Sequence, residues 1–316
     1  MGEQVASLAA HIRREFAKAI VGQQEALDQL LVVLLCRGHA LIEGVPGLAK
    51  TLAVKVLSRP LRLEFQRVQC TPDLMPADVT GTNVFNASTS AFSFHRGPVF
   101  TDLLLVDEIN RTPPRTQSAL LEAMEERQVT VDGARHPLSP NFTVFATQNP
   151  IEFEGTYPLP EAQLDRFLLK IRFDYPDEAG EQEILRHFHQ GFDPHDLDAV
   201  GFEPLPAGML DAARAEVAQV RVEPALFQYV AAAVRRSRDW PSVSLGASPR
   251  AGVYLLAVAK AVAAIDGRDF LIPDDVKTCA VPVLRHRLLM KPEAELEGLS
   301  PDQAVAEMLA SVEVPK

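Results

Sequence analysis

The sequence predicts an α/β protein: a parallel sheet covered by helices on both faces, followed by a wholly helical second domain. Three observations predict it. Between residues 39 and 172 short apolar runs alternate with stretches of helical periodicity, the order that builds a parallel sheet. One run, Ala40-Leu41-Ile42-Glu43, breaks directly into Gly44-Val45-Pro46-Gly47-Leu48-Ala49-Lys50-Thr51. From about residue 177 to the end helical periodicity continues with no convincing strand.

In chain order, Val5, Leu8, Ala9, Ile12 and Phe16 fall at helical spacing within 3–19. Ile20-Val21-Gly22 interrupts that pattern, and Gln23 to Arg37 resumes it. Strands are expected at His39–Glu43, Glu64–Gln69, Thr101–Val106, Phe142–Thr147 and Leu168–Arg172. Two insertions decorate this core. Residues 83–96 hold Asn-Val-Phe, a polar Asn-Ala-Ser-Thr-Ser turn and Phe92-Ser93-Phe94 in period-2 alternation. Residues 128–138 hold Val129-Thr130-Val131 before Asp132-Gly133, a strong short-range hairpin signal. Helices are expected at 178–190, 207–219, 224–238, 249–266, 274–291 and 301–312, with Gly191 to Pro206 as a loop. Ser248-Pro249 and Ser300-Pro301 each put a capping hydroxyl before a proline at the first helical position. The division falls at 1–174 for the α/β domain and 175–316 for the helical one.

Composition narrows the setting. The 316 residues are 47% hydrophobic and 23% charged, ordinary for a globular chain large enough for two domains. The longest apolar run, Leu30 to Cys36, is far short of the roughly 20 residues of a membrane span. No basic leader precedes an apolar stretch, and Cys36, Cys70 and Cys279 are odd in number and set in apolar contexts. A cytoplasmic protein with reduced, buried thiols is expected. The formal charge of −11 argues against non-specific nucleic-acid binding, which needs a basic surface.

The motifs then supply chemistry. A strand that turns through glycines into a helix aims backbone N–H groups and a helix N-terminus at one point, which is an anion site. Lys50 suits the β- and γ-phosphates of a nucleotide and the Thr51 hydroxyl suits Mg²⁺. A tight turn with an incidental lysine is the plainer alternative for that segment alone. Ala49 replaces the second glycine of the general pattern, and its methyl calls for a negative φ, as at a helix start. The run Leu103-Leu104-Leu105-Val106 ends in Asp107-Glu108, where parallel sheets bind ligands. Asp107 would hold Mg²⁺ through water and Glu108 would polarise the attacking water. Asn149 ends another apolar run, and Arg166 and Arg250 are single cations that surface roles could equally explain. His187, His189 and His195 match no standard metal spacing. Arg235, Arg236 and Arg238 read as a solvated helix face or subunit contact.

Taken in order, Gly44–Thr51, Asp107-Glu108, Asn149, Arg166 and Arg250 resemble the AAA+ ATPases, and the connecting text resembles their MoxR family. The strings that carry this are Glu43 to Thr51, Asp107-Glu108-Ile109-Asn110-Arg111, Ala119 to Met124, Ala146 to Pro150, Glu154 to Ala162 and Gly246 to Arg250. The resemblance implies an αβα phosphate-loop domain with an all-α lid, and a nucleotide site running from Gly44 through Leu52. It implies Lys50 and Thr51 as the Walker A pair, Asp107 and Glu108 as the Walker B pair, and Asn149 as sensor 1. Arg166 matches the arginine finger, Arg250 sensor 2, and Val21 and Gly22 the segment beside adenine. It also implies ATP with Mg²⁺, a homo-oligomeric ring of six, and chaperone-like remodelling of a protein client with a von Willebrand factor A domain partner. Lid motion is expected through Arg250, and Phe92 and Phe94 are candidates to grip a client. The rivals are a chelatase-type or nucleic-acid motor on the same core, and a nucleotide-gated scaffold that rarely hydrolyses.

Overall fold

Parallel strands at the centre of the molecule set the direction of everything else. The computed structural model describes residues 3–88, 90–150 and 155–315. Thr89 of the polar turn and Glu154 of the family-like string lie outside the described residues. Helices α1 (Glu3–Phe16) and α2 (Gln24–Leu35) precede β1 (Ala40–Glu43) and α3 (Lys50–Leu61). Next come β2 (Phe65–Gln69), the short α4 (Pro76–Thr80), a hairpin of β3 (Gly81–Asn86) and β4 (Ala91–Arg96), then β5 (Leu103–Asp107). Helix α5 (Pro114–Glu126), a second hairpin of β6 (Gln128–Val131) and β7 (Ala134–Pro137), β8 (Thr143–Gln148), α6 (Glu161–Leu164) and β9 (Leu169–Arg172) complete the α/β half.

The five-stranded sheet has the order β2-β5-β8-β1-β9, all parallel. Its central strands are buried on both faces, which is why they read as unbroken apolar runs. Alternate residues serve opposite faces. Ala40, Ile42, Leu103 and Leu105 pack with α1, α2 and α3, while Leu41, Leu104, Val106 and Val144 pack with Leu120, Leu121 and Met124 of α5.

The second half holds α7 (Glu178–His189), α8 (Met209–Ala218), α9 (Pro224–Arg236), β10 (Val243–Leu245), α10 (Pro249–Ile265), α11 (Pro273–Leu284), β11 (Leu289–Met290), α12 (Pro292–Leu296) and α13 (Pro301–Ala310). Its apolar residues, among them Leu255, Val258, Val276 and Val283, share one core with the first face of the sheet.

Three sequence expectations are corrected here. The helical half is not free of strands, because β10 and β11 form a short antiparallel pair. Two- and three-residue strands leave no periodic trace and exist through tertiary pairing. The helix expected over 274–291 ends at Leu284, since Arg287 turns away to bond Asp165 Oδ1 at 2.8 Å and the Leu168 carbonyl. Ser300 accepts from the Gln303 amide and closes a capping box, but Ser248 does not cap with its hydroxyl. That hydroxyl donates to Asp165 Oδ2 at 2.9 Å and pins α10 beside the residue preceding Arg166.

Candidate nucleotide site

The loop after β1 is shaped for an anion. Gly44 has no room for a Cβ, which would stand 2.8 Å from the Phe173 carbonyl oxygen. Gly47 and Ala49 both take positive φ (89° and 60°), with Leu48 between them outside that region. Alternating handedness turns successive N–H groups toward one point, the backbone arrangement of an anion nest. The expectation of a negative φ at Ala49 is therefore corrected. A non-glycine residue in the left-handed region costs roughly 1–2 kcal/mol, and strain of this kind concentrates at functional sites. Ala49 opens α3, so the positive end of that helix faces the same point.

Lys50 folds over the loop, donating from Nζ to the Gly44 carbonyl and to Val45 O at 2.9 Å. Burial lowers its pKa, opposed by the charges of Asp107 and Glu108. Thr51 donates to Asp107 Oδ2 at 3.3 Å. A hydroxyl and a carboxylate oxygen side by side are hard oxygen donors that fit Mg²⁺. Asp107 is nearly buried, and its Oδ1 accepts from Thr147 Oγ1 at 2.6 Å. The same Thr147 oxygen accepts from the Glu108 amide at 2.9 Å, so one hydroxyl fixes both acidic residues. Glu108 itself has φ 60°, a sharp turn off the strand, and its carboxylate meets Arg111 at 3.1 Å and Gln69 at 3.1 Å. Asn149 is buried just past the end of β8, beside β5 and β1 in the sheet.

A cavity of about 250 Å³ adjoins the phosphate loop. Val21, Gly47, Leu48, Ala49 and Leu52 line it, whereas Gly22 does not. Gly22 instead supplies a positive φ of 67° in the turn before α2. The sequence reading missed the opposite wall, Ile184, His187 and Phe188 of α7. Their signal was the spacing of Ile184 and Phe188 on one face of a helix that buries none of its residues.

Arg166 and Arg250 stand elsewhere. Arg166 precedes β9, and the β1–β9 register pairs Ala40 with Leu169 and Glu43 with Arg172. Arg166 is thus at the start of the strands and the phosphate loop is at their end. Four residues of strand at about 3.3 Å each separate the two ends by roughly 13 Å, more than an arginine spans. Arg250 joins Arg166 there: both bind Glu125, at 2.9 and 3.0 Å, beside a pocket of about 340 Å³ that also holds Arg37 and Arg127. Arg250, through which lid motion is expected, thus stands with Arg166 and away from the phosphate loop of its own chain. These three side chains are each about a third exposed, so the pairs contribute at most about 1 kcal/mol and exchange easily.

The two hairpins are packed together. Phe94 stacks on His136 with centroids 3.9 Å apart, and Asn83 donates to Asp132 Oδ2 at 2.7 Å. Phe92 is 72% exposed and leans on Phe85, which is 53% exposed. The pair of candidates therefore divides into a packed Phe94 and an open Phe92.

A phosphate loop after β1, an acidic pair at the end of β5 and an asparagine just past β8, the strand between them, define a P-loop ATPase of the AAA class. Residues 39–169 match the "ATPase family associated with various cellular activities (AAA)", and residues 235–308 match the AAA lid domain. The chain is 44% identical to the uncharacterized protein YeaC of Bacillus subtilis, over 96% of this chain and 93% of that one. It is 42% identical to "Chaperone MoxR1" of Mycobacterium tuberculosis (96% and 81%) and 33% identical to "Protein MoxR" of Methylorubrum extorquens (91% and 89%). A crystal structure of a candidate ATPase from Cytophaga hutchinsonii superposes with a TM-score of 0.88 at 38% identity, covering 99% and 98% of the two chains. The chain belongs to the MoxR family of AAA+ ATPases.

Proposed function

We propose that the protein hydrolyses ATP at sites shared between neighbouring subunits of a homo-oligomeric ring, of six, in the cytoplasm. The observation that carries this reading is the separation of the phosphate loop from Arg166 and Arg250 by the length of the sheet. Two guanidiniums held ready at one end, and a phosphate cradle at the other, complete a site only when one copy abuts the next.

Within such a site the loop amides and Lys50 hold the triphosphate. Glu108 takes a proton from the attacking water and Asn149 orients that water toward the γ-phosphorus. Mg²⁺, held through Thr51 and Asp107, would supply charge neutralisation of the phosphate oxygens. Arg166 from the adjacent subunit meets charge developing on the γ-phosphate, and Arg250 joins it from the same side. The resemblance supports coupling of this cycle to remodelling of a client protein, with a von Willebrand factor A domain partner and Phe92 on the open hairpin as a client contact. "Chaperone" in the name of a 42% identical relative points the same way.

The test is multiple-turnover phosphate release from ATP. Turnover is expected with the native chain and no ATP binding with Lys50→Ala. Retained ATP affinity in that variant would sink the phosphate-loop assignment, and single-turnover release alone would favour a nucleotide-gated scaffold.

A further inference from the structure

Arg67 has no part in that scheme, yet it lies against its central carboxylate. It sits on β2, whose register with β5 sets Gln69 opposite Asp107. Its guanidinium donates to Asp107 Oδ2 twice, from Nε at 3.1 Å and from Nη2 at 2.7 Å. Nη2 also reaches Gln69 Oε1 at 2.6 Å, and the Gln69 amide donates to Glu108 Oε2 at 3.1 Å. One cation therefore holds Asp107 directly and Glu108 through a single intervening amide.

The two oxygens of Asp107 are unequal. Oδ1 is fixed to the sheet by Thr147. Oδ2 faces Thr51 and takes three donors: both from Arg67 and the Thr51 hydroxyl. A carboxylate oxygen offers about two lone-pair directions, so Oδ2 is fully committed. The oxygen placed to face a hydrated cation is the one Arg67 occupies. Its presence has a physical reason, since a nearly buried carboxylate without a countercharge is destabilising. Arg67 is itself about half exposed, so solvent can receive its guanidinium when it lets go.

We propose that Arg67 is an internal counter-ion for Asp107, and that Arg67 and hydrated Mg²⁺ are alternative partners of Oδ2. Withdrawal of Arg67 would also loosen Gln69, one of the two contacts on the Glu108 carboxylate, and leave Arg111 as the other. Arrival of the metal would thus release Asp107 Oδ2 and weaken the hold on Glu108 in one exchange. The inference rests on reading Asp107 as the metal-facing carboxylate.

The experiment is an equilibrium titration with fluorescent ADP, in EDTA and in Mg²⁺, which gives the gain in nucleotide affinity due to the metal. Arg67→Ala removes the competitor and should raise that gain about tenfold over the native chain, as expected for hydrogen bonds to a charged group. Affinity in EDTA should stay within about threefold of native. Arg67→Lys keeps the charge but not the two-pronged contact, and should fall between. An unchanged or reduced gain would overturn the proposal, and a large loss of affinity in EDTA would instead make Arg67 a phosphate ligand. Asp107→Asn separates the two levels of inference. If it keeps the native gain, the metal assignment of Asp107 fails. If it erases the gain while Arg67→Ala leaves it at the native value, only the counter-ion role fails. Should Arg67→Ala not fold, Arg67→Lys decides alone: a gain above native supports the proposal, and one at or below native ends it.

Discussion

The two ends of the central sheet are built on different terms. At the C-terminal end the functional side chains are held in a network: Lys50 to loop carbonyls, Thr51 and Thr147 to Asp107, Gln69 and Arg111 to Glu108. At the N-terminal end Arg166 and Arg250 share one partly exposed glutamate beside an open pocket. A dense network suits groups that must hold fixed geometry around phosphates. Loose pairing suits groups that must exchange an internal carboxylate for a phosphate on another molecule. The contrast supports the proposal that one end serves the subunit's own nucleotide and the other its neighbour's.

The largest expected effect lies at the loose end. Arg166→Ala should lower kcat by about 10³-fold, the lower bound for a finger arginine, with the Kd for ATP of the isolated subunit unchanged. A matching loss of affinity in the isolated subunit would place Arg166 beside its own nucleotide and break the comparison. Glu108→Gln, at the dense end, should bind ATP normally yet turn over about 100-fold more slowly, as for other positioned bases. Near-native phosphate release would remove Glu108 from the chemistry. Arg250→Ala should slow turnover about tenfold, the worth of one charge-assisted hydrogen bond, again without weakening ATP binding by isolated subunits. Weakened binding there would instead place Arg250 at its own subunit's phosphates.

The smallest effect concerns what supports the loose end. His39 accepts from the Val144 amide at Nδ1 (2.9 Å) and donates from Nε2 to Met124 O (3.2 Å), so it must be neutral to join β8 to α5 beside Glu125. Burial, with help from the Arg127 charge, lowers its pKa from 6.5 to about 3. Between those values the unfolded chain binds a proton that the folded chain refuses. Stability from His39 is therefore complete above pH 6.5 and declines as pH falls toward 3, with a slope of up to about 1.4 kcal/mol per pH unit. His39→Gln should flatten the urea-derived stability profile in that window. An unaltered slope would show that His39 is protonated in the folded chain.

What the sequence discloses follows from range. The buried strands appear as apolar runs because each is covered on both faces, and Asp132-Gly133 marks its hairpin because both residues take positive φ. Gly44, Lys50, Thr51, Asp107 and Glu108 were legible because strand ends and loop chemistry are local. Arg67, Thr147 and Glu125 were not, since each matters through a residue 40 or more positions away. Ser248 shows the same limit: its local pattern reads as a cap, while a distant aspartate claims its hydroxyl. Ala49 was misjudged because the backbone handedness follows from the shape of an anion cradle and not from the preference of alanine.

Mixing two inactive proteins tests the split site most directly. Lys50→Ala lacks the phosphate cradle and keeps its arginines, while Arg166→Ala keeps the cradle and lacks its finger. Phosphate release should reappear on mixing, because some neighbours bring an intact Arg166 to an intact Lys50. If mixed assemblies that demonstrably contain both chains stay as inactive as either alone, the two ends of the sheet do not form one site between subunits.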